Sequence, residues 1–299
     1  MSKFSKALLP LVLVLSAAAC STGADRAGAQ DLGLEIVSAP APRAETPPPE
    51  KEAVNVSNRQ EHFRPPSGGA IPTKVSRNVT PDDPLRVMVI GDSLADGFGI
   101  FMKQMVASRG LPVTVTNRGK TSTGLARTDF YNWPANFAPM AASGDPDVVV
   151  VHFGANDNQP IRLPGGGSVP YDTPEWDAAY RAEARKILDV AAANGAVVYW
   201  LGPAPDRDSH RNALLTKANR LFRAEAQAAG AHFISLPAFA AGPNGEFVRV
   251  AGGTTIRAGD GSHFTVAGYN MVVDRILTAI ERDNPGIFMP PSVEVAGLQ

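Results

Sequence analysis

From Leu85 onward, short runs of β-branched and aliphatic residues alternate with longer stretches of helical period. Leu85–Ile90, Val113–Thr116, Val148–Phe153, Ala196–Leu201 and His232–Leu236 read as strands. Their near-continuous apolar character, where an exposed strand would alternate, predicts burial on both faces, as in a parallel sheet. One intervening stretch has Thr173 as a cap, Pro174 at its first position and Gly195 just past its end. Along it Trp176, Tyr180, Ala184, Ile187 and Ala191 recur at helical spacing. Asn212–Ala229 reads as a second helix, closed by Gly230. A third begins at Thr265, with Tyr269, Val272, Val273, Ile276, Leu277 and Ile280 as its inward stripe. This alternation predicts a three-layer α/β/α sandwich around a mainly parallel five-stranded sheet. Asn244-Gly245 followed by Phe247-Val248-Arg249-Val250 predicts a hairpin-like insertion ahead of the last helix.

The pattern before Leu85 is different. Met1–Lys6 carries two lysines and Ala7–Ala19 is free of charge, with leucines and valines at its centre. Thirteen residues are too few to span a hydrocarbon core, which takes about 20 in a helix. A basic start, a short apolar run and small residues at its end predict a signal peptide over residues 1–20 and an exported protein of the periplasm or cell envelope. Cys20 follows Ala17-Ala18-Ala19 and resembles the lipidated cysteine of bacterial lipoproteins, although Ala17 stands where that pattern prefers Leu. Ordinary cleavage there or after Ala29 is the alternative. Ten prolines fall between Pro40 and Pro84, among Glu, Arg, Ser and Asn. Residues 21–84 are therefore expected to be an extended linker with too little apolar surface to offset its ordering entropy. With Cys20 as an anchor, that tether would reach about 45 Å. The folded domain is expected over residues 85–285, with 286–299 as a tail.

Composition removes several function classes. Twenty-eight basic residues nearly balance twenty-nine acidic ones, for a formal charge of −1, which argues against an electrostatic grip on nucleic acid. A single cysteine excludes an intramolecular disulfide and any zinc site built from several thiolates. No spacing suggests a metal cluster or a phosphate-cradling loop, so no cofactor is expected. A membrane would be met only through the lipid anchor.

In an open parallel sheet, ligands bind beyond the carboxyl ends of the strands. Gly91-Asp92-Ser93-Leu94 follows the first strand, Thr121-Ser122-Thr123-Gly124 the second, and Gly154-Ala155-Asn156-Asp157 the third. Asp260-Gly261-Ser262-His263 stands just before the last helix. Together, in this order, these blocks resemble the SGNH (GDSL-type) hydrolase family over roughly residues 86–280. Phe264-Thr265 and Gly268-Tyr269 extend the likeness, and the Gly124–Pro134 run is similar to an exported bacterial branch of the family. The resemblance implies a flavodoxin-like fold and a serine hydrolase.

A serine hydroxyl is a poor nucleophile until a base takes its proton during attack. Ser93 is the candidate nucleophile and His263 the candidate base. Asp260, three residues before it, can accept the Nδ1–H bond that sets the ring's tautomer. The resemblance places the oxyanion donors at the Ser93 N–H, the Gly124 N–H and the Asn156 amide. Gly119, nearer the end of the second strand, is the competing glycine, and the Ser-Thr-Gly run favours Gly124.

The neighbouring polar residues have plainer readings as well. His152 is expected to be a hydrogen-bonded core histidine, while His210 and His232 fall at a helix start and a strand. Asp92 and Asp157 can hold loops through Asx-type bonds. Arg127 and Asp129 are either an ion pair or substrate contacts, and Trp133 and Tyr131 either stack on sugar or close the core. The expected activity is hydrolysis of ester bonds, with acetyl groups of an envelope or extracellular polysaccharide as the substrate that address and family suggest. Transfer of the acyl group to a glycan, making an O-acetyltransferase, and a catalytically idle polysaccharide-binding lipoprotein are the alternatives.

Overall fold

A computed structural model describes residues 69–163 and 166–289. The signal peptide, Cys20 and residues 21–68 of the expected linker lie outside them. In chain order the elements are β1 (Leu85–Gly91), α1 (Ser93–Ser108), β2 (Val113–Gly119), α2 (Trp133–Gly144), β3 (Val148–His152), β4 (Ile161–Arg162), β5 (Ser168–Val169) and α3 (Pro174–Ala193). They continue with β6 (Val197–Gly202), α4 (Ser209–Ala229), β7 (His232–Ser235), α5 (Pro237–Ala240), β8 (Val250–Ala251), β9 (Thr254–Thr255) and α6 (Val266–Asp283).

Five strands form one parallel sheet in the order β2-β1-β3-β6-β7. Successive residues of its inner strands face opposite sides. Met88, Ile90, Val149, Val151, Val198 and Trp200 meet α2, α3 and α4. Val87, Val89, Val148, Val150, Val197 and Tyr199 meet α1 and α6. Both faces are covered, which is why these strands carry uninterrupted apolar runs. The chain moves outward from β1 to β2 and returns across β1 to β3, so the sheet's switch point lies between β1 and β3. A crevice opens there at the carboxyl ends of adjacent strands.

The long helices start where the sequence supplies a cap. Thr173 accepts from the Trp176 N–H ahead of α3, and Thr265 accepts from the Gly268 N–H ahead of α6. Helix α4 begins three residues earlier than its apolar pattern indicates, because Asp208 accepts from the Arg211 N–H at 3.0 Å. The expected insertion divides in two: a turn closed by a single bridge between Ala241 and Phe247, and a small hairpin of β8 and β9.

The linker boundary at residue 84 needs correction. The chain from Ile71 already belongs to the folded body. Ile71 is buried, Thr73 O lies 2.8 Å from His232 Nε2, and the Val75 N–H donates to Asn284 Oδ1 at 2.8 Å. Arg77 forms a two-pronged pair with Asp147 (2.8 and 2.6 Å), just ahead of β3, and Arg86 pairs with the same carboxylate. Specific polar contacts fasten a stretch whose composition alone reads as unstructured.

Candidate active site

Ser93 is the first residue of α1, at the carboxyl end of β1. Gly91 precedes it at φ +135°, and a Cβ there would come within 1.8 Å of the His152 carbonyl oxygen. Glycine therefore lets β1 turn sharply against β3. Asp92 caps α1 by accepting the Leu94 N–H at 3.0 Å, which leaves the Ser93 hydroxyl and N–H directed from a helix N-terminus.

His263 Nε2 lies 2.9 Å from Ser93 Oγ, and His263 Nδ1 lies 2.7 Å from Asp260 Oδ2. An ionised carboxylate can only accept, so the proton resides on Nδ1 and the Nε2 lone pair faces the serine hydroxyl. Asp260 Oδ1 also accepts the N–H groups of Ser262 and His263, at 2.9 and 3.0 Å. Partial burial pushes the Asp260 carboxyl up, but the His263 ring and these two N–H groups outweigh it and hold it down at about 2. The pair stands open to water, with 51% of the Asp260 side chain and 40% of the His263 side chain exposed.

The three candidate oxyanion donors stand at the ends of three adjacent strands and are tied to one another. The Asn156 amide donates one hydrogen to the Thr123 carbonyl at 2.9 Å, leaving its second free. Gly124 packs on the Asp157 carboxylate so closely that a Cβ would lie 2.0 Å from Oδ1. Neither the Ser93 N–H nor the Gly124 N–H has an acceptor among the described residues. Gly119 differs, since its N–H already donates to Asn117 Oδ1 at 3.0 Å and its backbone lies against Asp96. The geometry thus favours Gly124 over Gly119.

The family model described as "Protein of unknown function (DUF459)" matches residues 86–279. The chain belongs to the DUF459 family. No curated protein matches the sequence. Among solved structures, a protein of Bacteroides fragilis assigned as an acylhydrolase is 19% identical, covers 78% of this chain and 99% of its own, and gives a TM-score of 0.50. A G-D-S-L family protein from Desulfitobacterium hafniense is 12% identical over 65% of this chain and 98% of its own, also with a TM-score of 0.50. A GDSL-like lipase from Bacteroides thetaiotaomicron is 20% identical over 66% and 88%, with a TM-score of 0.49. At these identities the likeness is one of fold, and the DUF459 domain has the SGNH (GDSL-type) fold.

Two buried carboxylates brace this DUF459 site from below. Asp92 accepts the Ala155 N–H at 3.3 Å and lies 3.0 Å from His152 Nδ1, so it links the loop of Ser93 to that of Asn156. His152 is fully buried, with its ring edge-on to Phe98. Asp157 accepts the Ala126 N–H at 2.9 Å and the Tyr180 hydroxyl at 2.7 Å. Burial pushes its carboxyl up, opposed by these donors.

Trp133 is not a substrate-side residue. It is 1% exposed, its indole N–H donates to Thr123 Oγ1 at 3.0 Å, and it packs edge-on against Tyr131 and Phe153. Arg127 and Asp129 pair with each other at 2.7 and 2.9 Å.

A group that sequence reasoning missed holds the turn bearing Asp260 and His263. Arg207 donates to the carbonyls of Gly259 and Asp260, both at 3.0 Å. Buried Asp206 accepts from Arg211 Nη1 at 2.9 Å and from the Ser262 hydroxyl at 2.5 Å. Arg257, 2% exposed, donates to the carbonyls of Pro205 and Gly261 and stacks over Phe264 at 4.5 Å. Burial pulls its guanidinium down to about 10 against the charges of Asp206 and Asp260. The available signal was position: Asp206-Arg207-Asp208 follows the carboxyl end of β6, where ligand-facing loops belong.

Proposed function

We propose that the protein is a serine esterase that works through a covalent acyl-enzyme. The observation that carries this reading is the continuous chain from Ser93 Oγ through His263 to Asp260, with links of 2.9 and 2.7 Å. Ser93 Oγ attacks the ester carbonyl carbon as its proton passes to His263 Nε2, and Asp260 stabilises the imidazolium. The carbonyl oxygen takes up negative charge, and the N–H groups of Ser93 and Gly124 with the free Asn156 amide hydrogen are its donors. The N-terminal end of α1 adds a favourable field there. His263 returns the proton to the departing alcohol. Water, activated by the same nitrogen, then attacks the acyl-serine and releases the acid.

The exposure of Asp260 and His263 supports hydrolysis over acyl transfer, because water reaches the base without the opening of a cover. The substrate we propose is an O-acetylated polysaccharide of the cell envelope or its surroundings. It rests on the N-terminal address: a basic, then apolar, then small-residue segment ending at Cys20, and a proline-rich tether. Acetate release from 4-nitrophenyl acetate by the full chain and by Ser93→Ala tests the reaction. The reading expects a loss of ~10³-fold or more in the variant. Equal rates in the two proteins would refute it.

A further inference from the structure

The Asn156 loop runs directly into a pocket of about 430 Å³ at the N-terminal ends of α3 and α4, lined by Asn158, Tyr171, Asp172, Ser209, His210 and Lys217. Asn158 is two residues beyond Asn156, so the pocket begins within about 7 Å of chain from the candidate oxyanion amide. The loop between them is fastened: the Trp176 indole N–H donates to the Gln159 carbonyl at 2.9 Å, and the Gln159 amide donates to the Asn156 carbonyl.

The lining selects against two ligand classes. Its one ammonium, on Lys217, is already paired with Asp172 and with Asp177 at 3.0 Å, and lies within 6 Å of the Tyr171 and Trp176 ring centres. Among the described lining residues no unpaired ammonium or guanidinium is left for a carboxylate or phosphate. An alkyl chain finds only Ala213 and the ring of Tyr171 as apolar wall. Asn158, Ser209 and His210, in contrast, are exposed and make no side-chain hydrogen bond to protein among the described residues. They offer both donors and acceptors. Asp172 is held at φ +64°, a left-handed conformation unusual for a non-glycine residue, at the rim of the pocket.

Uncommitted hydroxyl, amide and imidazole groups beside a half-buried tyrosine, with charge already neutralised, suit a ligand rich in hydroxyls and free of charge. We propose that this pocket is the glycan subsite, which holds an uncharged pyranose of the substrate while its ester meets Ser93. The proposal rests on the esterase reading and narrows it to neutral acetylated glycans.

The test compares full-length protein with Asn158→Ala and His210→Ala on three probes: acetylated xylo-oligosaccharides, O-acetylated oligogalacturonides and 4-nitrophenyl acetate. The neutral oligosaccharide should be preferred to the anionic one by tenfold or more. In each variant the ratio of kcat/KM for the xylo-oligosaccharide to that for 4-nitrophenyl acetate should fall about tenfold, as for one or two lost hydrogen bonds, with the loss in KM. An unchanged ratio in both variants, a preference for the galacturonide, or Ser93-dependent turnover of 4-nitrophenyl acetate alone would overturn the subsite and leave the esterase standing. If no probe shows Ser93-dependent turnover, the esterase reading fails and calorimetric titration of xylotetraose into Ser93→Ala decides the pocket. Saturable binding that is lost on adding Asn158→Ala upholds it, and absence of binding overturns it.

Discussion

Adding one methyl group at Gly124 separates the role of that glycine from ordinary loop packing. In Gly124→Ala the new Cβ would stand 2.0 Å from Asp157 Oδ1, while real contacts of this kind essentially never fall below 3.0 Å. Backbone and carboxylate must therefore part by about 1 Å. Asp157 has no room to yield freely, because its oxygens are fully buried and engaged by the Ala126 N–H and the Tyr180 hydroxyl. Stretching the 2.9 Å bond from Ala126 by that amount breaks it. Loss of one hydrogen bond to a buried carboxylate costs about 1.5–3 kcal/mol, or roughly 4–10 °C in Tm for a domain of this size. The same displacement takes the Gly124 N–H away from the developing oxyanion, and loss of one such donor lowers kcat by ~10²–10³. Circular dichroism melting and 4-nitrophenyl acetate hydrolysis read the two effects on one preparation. A variant with kcat within threefold of the parent and Tm within about 1 °C would refute both the contact and the role.

Asp260→Asn keeps an acceptor for the two backbone N–H groups but turns an amide toward His263 Nδ1 and imposes the wrong tautomer. We expect kcat to fall by ~10³–10⁴ with little change in Tm, and a loss below tenfold would count against the assignment. Arg207→Ala removes both carbonyl contacts to the turn. It should lower kcat about tenfold while Tm moves by under about 2 °C, with partial recovery in Arg207→Lys; a Tm loss without a kcat loss would make Arg207 merely structural. Burial pushes the Asp147 carboxyl up, but Arg77 and Arg86 hold it at about 2, below the ~3.9 of an unfolded chain. The folded state binds that proton less readily, so the stabilisation, about 2 kcal/mol, is complete above pH ~4 and disappears as pH falls through 2. Melting curves should fall more steeply over that window for the parent than for Asp147→Asn, and parallel curves would sink the idea. A chain beginning at residue 85 loses Arg77 and should melt several degrees below the full chain, by about 1–2 kcal/mol; coincident melts would return residues 71–84 to the linker.

The central strands were legible because burial on both faces leaves no polar residue to interrupt runs such as Val148–Val151. Ser93, Asn156 and His263 could be picked out because each lies in a short motif beside a strand end or helix start, where backbone geometry and chemistry coincide. Helix α2 was less visible. Pro134 and Pro139 read as breakers, yet Pro134 sits in the first turn behind an Asn132 cap. Arg77, Asp206, Arg207 and Arg257 each reach across the fold to residues about 50 to 70 positions away. No local period encodes such a contact. Trp133 carried the opposite ambiguity: an indole in a candidate loop has the same composition whether it faces a ligand or the Thr123 hydroxyl, and only packing separates the two.

The arginine-held turn has a consequence for how the protein would fail on warming. The candidate nucleophile and oxyanion donors stand just beyond the carboxyl ends of the sheet's strands, cross-tied by Asp92 and Asp157 within the core. The candidate base and its carboxylate instead stand together on one short turn, moored through solvent-facing Arg207, the Asp206–Ser262 contact and buried Arg257. A solvent-facing mooring such as Arg207 opens at a lower free-energy cost than the core. The molecule is in this sense a fixed anvil and a hinged hammer. On gentle heating we expect the hammer to swing away while the anvil keeps its shape, so that activity disappears before the fold does and returns on cooling; loss of both at one temperature would refute this.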